Sequence, residues 1–150
     1  MNVTSAARAV PSNALLVSLR VLAVSPVSAY GGHNTSVHRI HALESLGCEV
    51  TVIDSTWQEG NVIRNLGHRF CNRLFRLGLP VSMPDVEQVG WKLREAVRQN
   101  PWDVIWLERA LCIGPDVLRT VRTLSPNALI VGFSPDDMVG RHNQSTQFLQ

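Results

Sequence analysis

Arg20-Val21-Leu22-Ala23-Val24-Ser25-Pro26-Val27-Ser28-Ala29-Tyr30-Gly31-Gly32-His33-Asn34 decides how the rest of the chain is read. Its first six residues are a short, β-branched apolar run, the pattern of a strand buried on both faces, and Pro26 ends it because proline cannot donate to a ladder. Small residues then make a loop, and Asn34 stands where its side chain can cap a helix by accepting from a free backbone N–H. Val37, Ile40, Leu43 and Leu46 recur every third residue on one face until Gly47, so a helix is expected over about 35–46.

Strand, loop and helix in that order open a βαβ unit, and the alternation continues. Val50-Thr51-Val52-Ile53 reads as a second strand ending at Asp54. Between Asn61 and Gly78, the spacing of Ile63, Leu66, Phe70, Leu74 and Leu77 is helical. Ser82, Pro84 and Asp85 mark a further helix start, with Val86, Val89, Leu93 and Ala96 or Val97 as its inward stripe and Asn100-Pro101 as its stop. Val104 to Leu107 is the third strand, Gly114-Pro115 opens a helix carrying Val117, Leu118, Val121 and Leu124, and Ser125-Pro126-Asn127 turns into a fourth strand, Ala128 to Phe133. One more helix is expected from His142 to Leu149. The class is α/β: a Rossmann-like doubly wound parallel sheet with right-handed crossovers and helices on both faces. Residues 1–18, rich in Ala, Ser and Asn around Pro11, read as a flexible leader. Residues 19–150 read as one domain whose last unit is half built, so it is expected to be incomplete at the C-terminus.

With 150 residues, 14 basic and 12 acidic side chains and a formal charge of +2, whole-molecule electrostatics give no reason to expect a nucleic-acid partner. The basic residues are 13 Arg and the single Lys92, and no Gly-Lys-Ser/Thr exists, which excludes a Walker-type phosphate loop. Cys48, Cys71 and Cys112 are odd in number and form no Cys-x-x-Cys pair, pointing to a reduced, cytoplasmic setting. Val27-Ser28-Ala29 has the small-x-small look of a signal-peptidase site. Against that reading, Arg20 interrupts the apolar core it would need, and cleavage would delete the first strand. No run of ~18 apolar residues is present to span a bilayer.

In an open parallel sheet, ligands sit beyond the carboxyl ends of the strands where the strand order reverses. Those ends carry Ser25 to His33, Asp54 to Trp57, Glu108-Arg109 and Ser134 to Met138. Tyr30, Gly31, Gly32 and Asn34 form a loop at which a ligand can approach the backbone, but adjacent glycines with Thr at position 35 are not the dinucleotide fingerprint. Asp54 serves either as a ribose-holding acid or as turn chemistry. His33 is the candidate general base, because imidazole titrates near neutral pH. Asp136 and Asp137, after Ser134-Pro135, can hold sugar hydroxyls, a cation or a basic partner such as Arg109 or Arg141, or can cap a helix. Glu108 and Arg109 are either ligand contacts or a plain ion pair. His38 and His41 read as the polar side of the first helix, so no metal is expected. Arg69, Arg73 and Arg76 give the second helix a basic side, with no acid from Asn61 to Pro84. That side suits membrane or phosphate contact, or is simply a solvated face. Trp102 and Trp106 read as packing around the third strand.

Arg20 to Ser25, Tyr30-Gly31-Gly32-His33-Asn34, His38-Arg39, Leu43 to Val50, Asp103 to Trp106, and above all Phe133-Ser134-Pro135-Asp136-Asp137-Met138 with Asn143-Gln144-Ser145 together resemble the amino-terminal half of bacterial two-domain GT-B glycosyltransferases, with the spore-maturation-like group nearest. The resemblance covers about Arg20 to Gln150. It implies an N-terminal, acceptor-side domain of a GT-B fold. The nucleotide-sugar co-substrate would be held mainly by a second, C-terminal domain that this chain lacks, and no other cofactor would be needed. It also implies that Gly31, Gly32, His33, Ser134, Asp136 and Asp137 line the cleft, with His33 in the position of a base for the acceptor hydroxyl. The expected function is therefore a sugar-transferring domain that contacts a sugar acceptor and is inactive alone. The alternatives are a stand-alone nucleotide- or dinucleotide-binding module and a non-enzymatic membrane-surface domain.

Overall fold

Four parallel strands form the sheet: β1 (Arg20–Ser25), β2 (Glu49–Asp54), β3 (Val104–Glu108) and β4 (Leu129–Phe133), in the order β2-β1-β3-β4. The computed structural model describes residues 18–32, 34–57, 62–77, 79, 81 and 83–134. The helices are α1 (Thr35–Ser45), α2 (Val62–Arg76), α3 (Val89–Gln99) and α4 (Pro115–Leu124), and a short 3-10 turn spans Ala29–Gly32. The chain is thus α/β with an all-parallel sheet flanked by helices, an arrangement consistent with a Rossmann-like domain. The leader, His33, Asp136, Asp137 and the helix expected over 142–149 lie outside the described residues.

The central run, β1, is covered on both faces, whereas the edge strands β2 and β4 keep exposed residues among the covered ones. Register pairs Leu22 with Ile105 and Val24 with Leu107, and these side chains share one face of the sheet. Helix α3 covers that face with Val89, Leu93 and Val97, and α4 adds Val117 and Val121, all buried in one core cluster. Full burial of a side chain such as Leu22, Leu93 or Ile105 contributes about 1.5–3 kcal/mol. A Cβ at Gly90 would come within 3.0 Å of a Val117 methyl, so the absence of a side chain there lets α3 approach α4 closely. At the amino ends of the strands Asp103 ties three of them together. Its carboxylate accepts from Arg20 N–H at 2.7 Å, its N–H donates to Arg20 C=O, and its C=O accepts from Leu129 N–H. Trp102 is buried beside this end under the Arg20 guanidinium, and Trp106 meets Phe133 at a tilt, so both pack around β3 as expected.

One expected helix start needs correction, and two helices bury less than their apolar rows offer. The third helix does not start near Pro84. Residues 86–87 turn, Gln88 takes a left-handed φ of 55°, and the helix begins at Val89. Asp85 caps it from upstream, reaching forward so that its two carboxylate oxygens accept from Val89 and Gly90 N–H at 2.7 and 2.8 Å. Val86 consequently falls off the inward stripe. The first helix turns the expected row inward over Val37, Ile40 and Leu43, which are half-buried or buried, but not at Leu46. Its buried residues are Ser36 and Ile40, while Leu46 is 80% exposed at the C-cap. Ser36, on the same inward face, is answered by a polar group described below. Finally, the apolar row of α2 is not buried: Leu66, Phe70 and Leu77 are 70%, 63% and 75% exposed.

Candidate functional site

The strand order reverses between β1 and β3, so the carboxyl ends of these two strands mark the switch point. Their last residues, Ser25 and Glu108, are 0% and 1% exposed, and the Ser25 hydroxyl donates to Glu108 Oε2 at 2.8 Å. From α1 above, the Ser36 hydroxyl donates to Glu108 Oε1 at 2.9 Å, and Arg39 Nη1 donates to the same oxygen. The Arg39 guanidinium also lies 4.7 Å over the Phe133 ring, joining β4 to the cluster. A buried carboxylate is tolerated only when paired and hydrogen-bonded, and here one cation and two hydroxyls satisfy it. The ion partner of Glu108 is thus Arg39, from a different element, rather than the adjacent Arg109 that the strand-end reading considered. Sealed from water, Glu108 anchors α1 and its preceding loop to the sheet and has no access to a ligand. Nothing in the local sequence of Arg39 marks it out, because its partner lies 69 positions away.

Asn34 organises the loop above this anchor. Its Oδ1 accepts from Ser36 and Val37 N–H at 2.9 and 3.1 Å, capping α1 as expected. Its Nδ2 donates to the carbonyls of Pro26, Val27 and Ala29. Both ends of the amide are thereby committed to the protein, so Asn34 shapes the site rather than presenting its side chain to a ligand. Asp54 is committed in the same way. Its Oδ1 accepts from Thr56 N–H at 2.8 Å. Burial alone would raise its pKa, but hydrogen bonds from Ser28 and Thr56 outweigh burial and lower it. The turn reading of Asp54 is therefore shown, and through Ser28 this turn also braces the loop after β1.

What remains open at the rim is mostly backbone. Gly31 is exposed at a φ of 67°, a conformation that suits glycine, with nothing within 4 Å of where a Cβ would stand. Arg109 is exposed and takes a left-handed φ of 50°, and its N–H donates to Phe133 C=O, so β3 and β4 end together with Ser134 next in line. Tyr30 and Gly32 lie in the short 3-10 turn beside Gly31. The structure thus brings the 29–32 turn, Arg109 and Ser134 to one rim.

A hollow that local sequence did not signal opens on the same rim, between β2, α2 and the segment entering α3. It encloses about 170 Å³ and is lined by Trp57, His68, Asp85, Arg109 and Cys112 among others. Trp57 and His68 stack at 5.0 Å and 12°, and burial lowers the His68 pKa, which favours the neutral ring. Trp57 Nε1 and Thr56 Oγ1 are buried without a hydrogen-bond partner among the described residues. Burial first, then the negative charge of Asp85, pushes the Cys112 thiol up to about 12, so it is a wall of the hollow and not a nucleophile. The aromatic pair was missed because Trp57 and His68 belong to different elements and only folding stacks them.

His38 is exposed, and the His41 ring pairs with Glu44 at 3.2 Å on the outer side of α1. Among the described residues no group of three or more His, Cys, Asp or Glu comes together that could hold a metal, and no helix is long and apolar enough to cross a membrane. Arg69 and Arg73 are exposed on α2, and the side chain of Arg76 lies outside the described ones. No family model, curated protein or solved structure matches the chain.

Proposed function

We propose that the chain is the acceptor-side domain of a two-domain GT-B glycosyltransferase, in which it receives a sugar acceptor while a separate C-terminal domain carries the nucleotide-sugar. The sequence resemblance motivates this reading. The observation that favours it over dinucleotide binding is what Asn34 does. In dinucleotide folds the pyrophosphate sits on the first backbone N–H groups of the helix after β1, and an acid at the end of β2 holds the ribose. Here Asn34 already occupies the N–H groups of Ser36 and Val37, and Asp54 is held by its own turn. Backbone at Gly31, the exposed Arg109 and the Trp57–His68 hollow line this rim, a mixture of polar groups and an aromatic face suited to a hydroxyl-rich ring. In this reading His33 is the base for the acceptor hydroxyl, Asp136 and Asp137 hold hydroxyls of the substrate, and Tyr30, Gly32 and Ser134 complete the wall.

The test is NMR titration of the purified chain with a panel of mono- and disaccharides, NAD, UDP and GDP. The expected result is weak saccharide binding, roughly millimolar, with shifts at Gly31, Trp57 and Arg109, diminished by Arg109→Ala. NAD should leave the spectrum unchanged, and UDP- or GDP-sugars should yield no transfer product. Tight NAD binding that Asp54→Ala weakens would replace this reading with the dinucleotide module. Sugar transfer by the chain alone would contradict the division of labour proposed here.

A further inference from the structure

On the side of α2 away from the hollow, apolar and cationic side chains are arranged as a surface in their own right. At about 100° per residue, Leu66, Phe70 and Leu77 fall within about 40° of one another around the helix, and Arg73 and Arg69 occupy roughly the next 60° along one flank. The three apolar residues are 70%, 63% and 75% exposed, and Leu79, just past the helix, is 48% exposed. Among the described residues no element packs over this arc, whereas His68 on the opposite side of the helix stacks on Trp57. From Asn61 to Pro84 there is no acidic residue.

We infer that this face of α2 docks the protein onto an anionic lipid bilayer, with Leu66, Phe70 and Leu77 entering the interface and Arg69 and Arg73 meeting the headgroups. Charge selects this occupant. In a symmetric pairing of α2 with a second copy, the arginines of the two helices would face each other with no carboxylate on either helix to answer them. A bilayer carrying negative headgroups supplies that charge beside hydrocarbon, and arginine stems reach upward from an inserted apolar arc to the phosphates. Two leucines and a phenylalanine on one arc favour hydrocarbon over a nucleic acid, whose bases call for stacking aromatics between the cations. The inference is independent of the sugar-transfer reading, since it rests on the outer face of α2 alone.

The test is co-sedimentation of the full 150-residue chain with vesicles of phosphatidylcholine, with or without about one-third phosphatidylglycerol. Binding is expected only to the anionic vesicles, and about 0.5 M salt should weaken it because the headgroup charge is then screened within a few ångström. Arg69→Ala and Arg73→Ala should each lower affinity about fivefold, and Phe70→Ser by about tenfold or more, with unchanged circular dichroism. Leu46→Ser is the control: that leucine is 80% exposed on α1, and its loss should leave binding unaltered. Three results would overturn the inference. These are no sedimentation with anionic vesicles, equal loss from Leu46→Ser and Phe70→Ser, or a concentration-dependent dimer in sedimentation velocity that Phe70→Ser abolishes.

Discussion

The β1–β3 seam and helix α2 treat polarity in opposite ways. At the seam a charge is driven inside, where Ser25, Ser36 and Arg39 engage both carboxylate oxygens of Glu108. On α2, large apolar side chains stand in solvent beside arginines. The first region turns its chemistry inward and thereby holds the loop and α1 in place. The second leaves its chemistry pointing outward, where it contributes little to folding. The contrast teaches that a charged strand end and an apolar helix row do not by themselves reveal which is site and which is core. Here the charge is structural and the apolar row is the exposed surface.

The largest effect expected from breaking this contrast is at Glu108. Replacing it by Ala leaves Arg39 and two hydroxyls without their buried partner, and should cost about 3–5 kcal/mol in urea denaturation. A loss under about 1 kcal/mol would mean that water reaches the seam and that Glu108 is available to a ligand after all. Next comes Asn34→Ala, which removes the α1 cap and the bonds to three loop carbonyls. The expected loss is about 1–2 kcal/mol, accompanied by faster amide exchange over the 26–32 loop.

Acidification should separate the two regions by pH. His68 has a pKa lowered from its ordinary 6.5 by burial, so on acidification the unfolded chain takes up this proton first. Its contribution to stability is intact above about 6.5, shrinks as pH falls toward the lowered value and is gone below it. Asp54, whose hydrogen bonds outweigh burial and lower its pKa from 3.8, keeps its contribution to a more acid range and loses it only as pH drops below about 3.8 through its folded value. Melting temperature followed from pH 8 to 3 should therefore show a shallow first loss that His68→Gln abolishes and a second that Asp54→Asn removes. A pH profile unchanged by His68→Gln would contradict a half-buried, stacked imidazole.

The smallest expected effect is that of Phe70→Ser, within about 0.5 kcal/mol of unchanged stability, because an exposed side chain has little packing to lose. Destabilisation comparable to that of Glu108→Ala would show that the α2 row belongs to the core and would erase the contrast.

Much of the architecture was legible from local pattern. Arg20 to Ser25 and Val104 to Leu107 are inner strands because an unbroken apolar run shorter than a helix calls for cover on both sides, and the run to Phe133 joins the same sheet at its edge. Asn34 and Gly114-Pro115 mark helix starts through their own backbone chemistry. The errors have a common cause. The start of α3 slipped because Asp85 caps from four residues upstream through a left-handed Gln88, a geometry that a Ser-x-x-Asp pattern does not encode. The burial of Ser36 on α1 went unread because hydrophobic spacing has no means of recording that it answers a carboxylate on another strand.

What the residues determined alone is the succession of elements and their parallel class, since propensity, punctuation and apolar run length act between near neighbours. The fate of the charged groups was decided only in three dimensions. Arg39, Ser25 and Ser36 find Glu108 across 69, 83 and 72 positions, and that meeting depends on strand register and helix rotation. Both are set by the packing of the whole sheet. The same packing turns one side of α2 toward Trp57 and leaves Leu66, Arg69, Phe70, Arg73 and Leu77 in solvent, because a helix can bury only the face that has something to lie against.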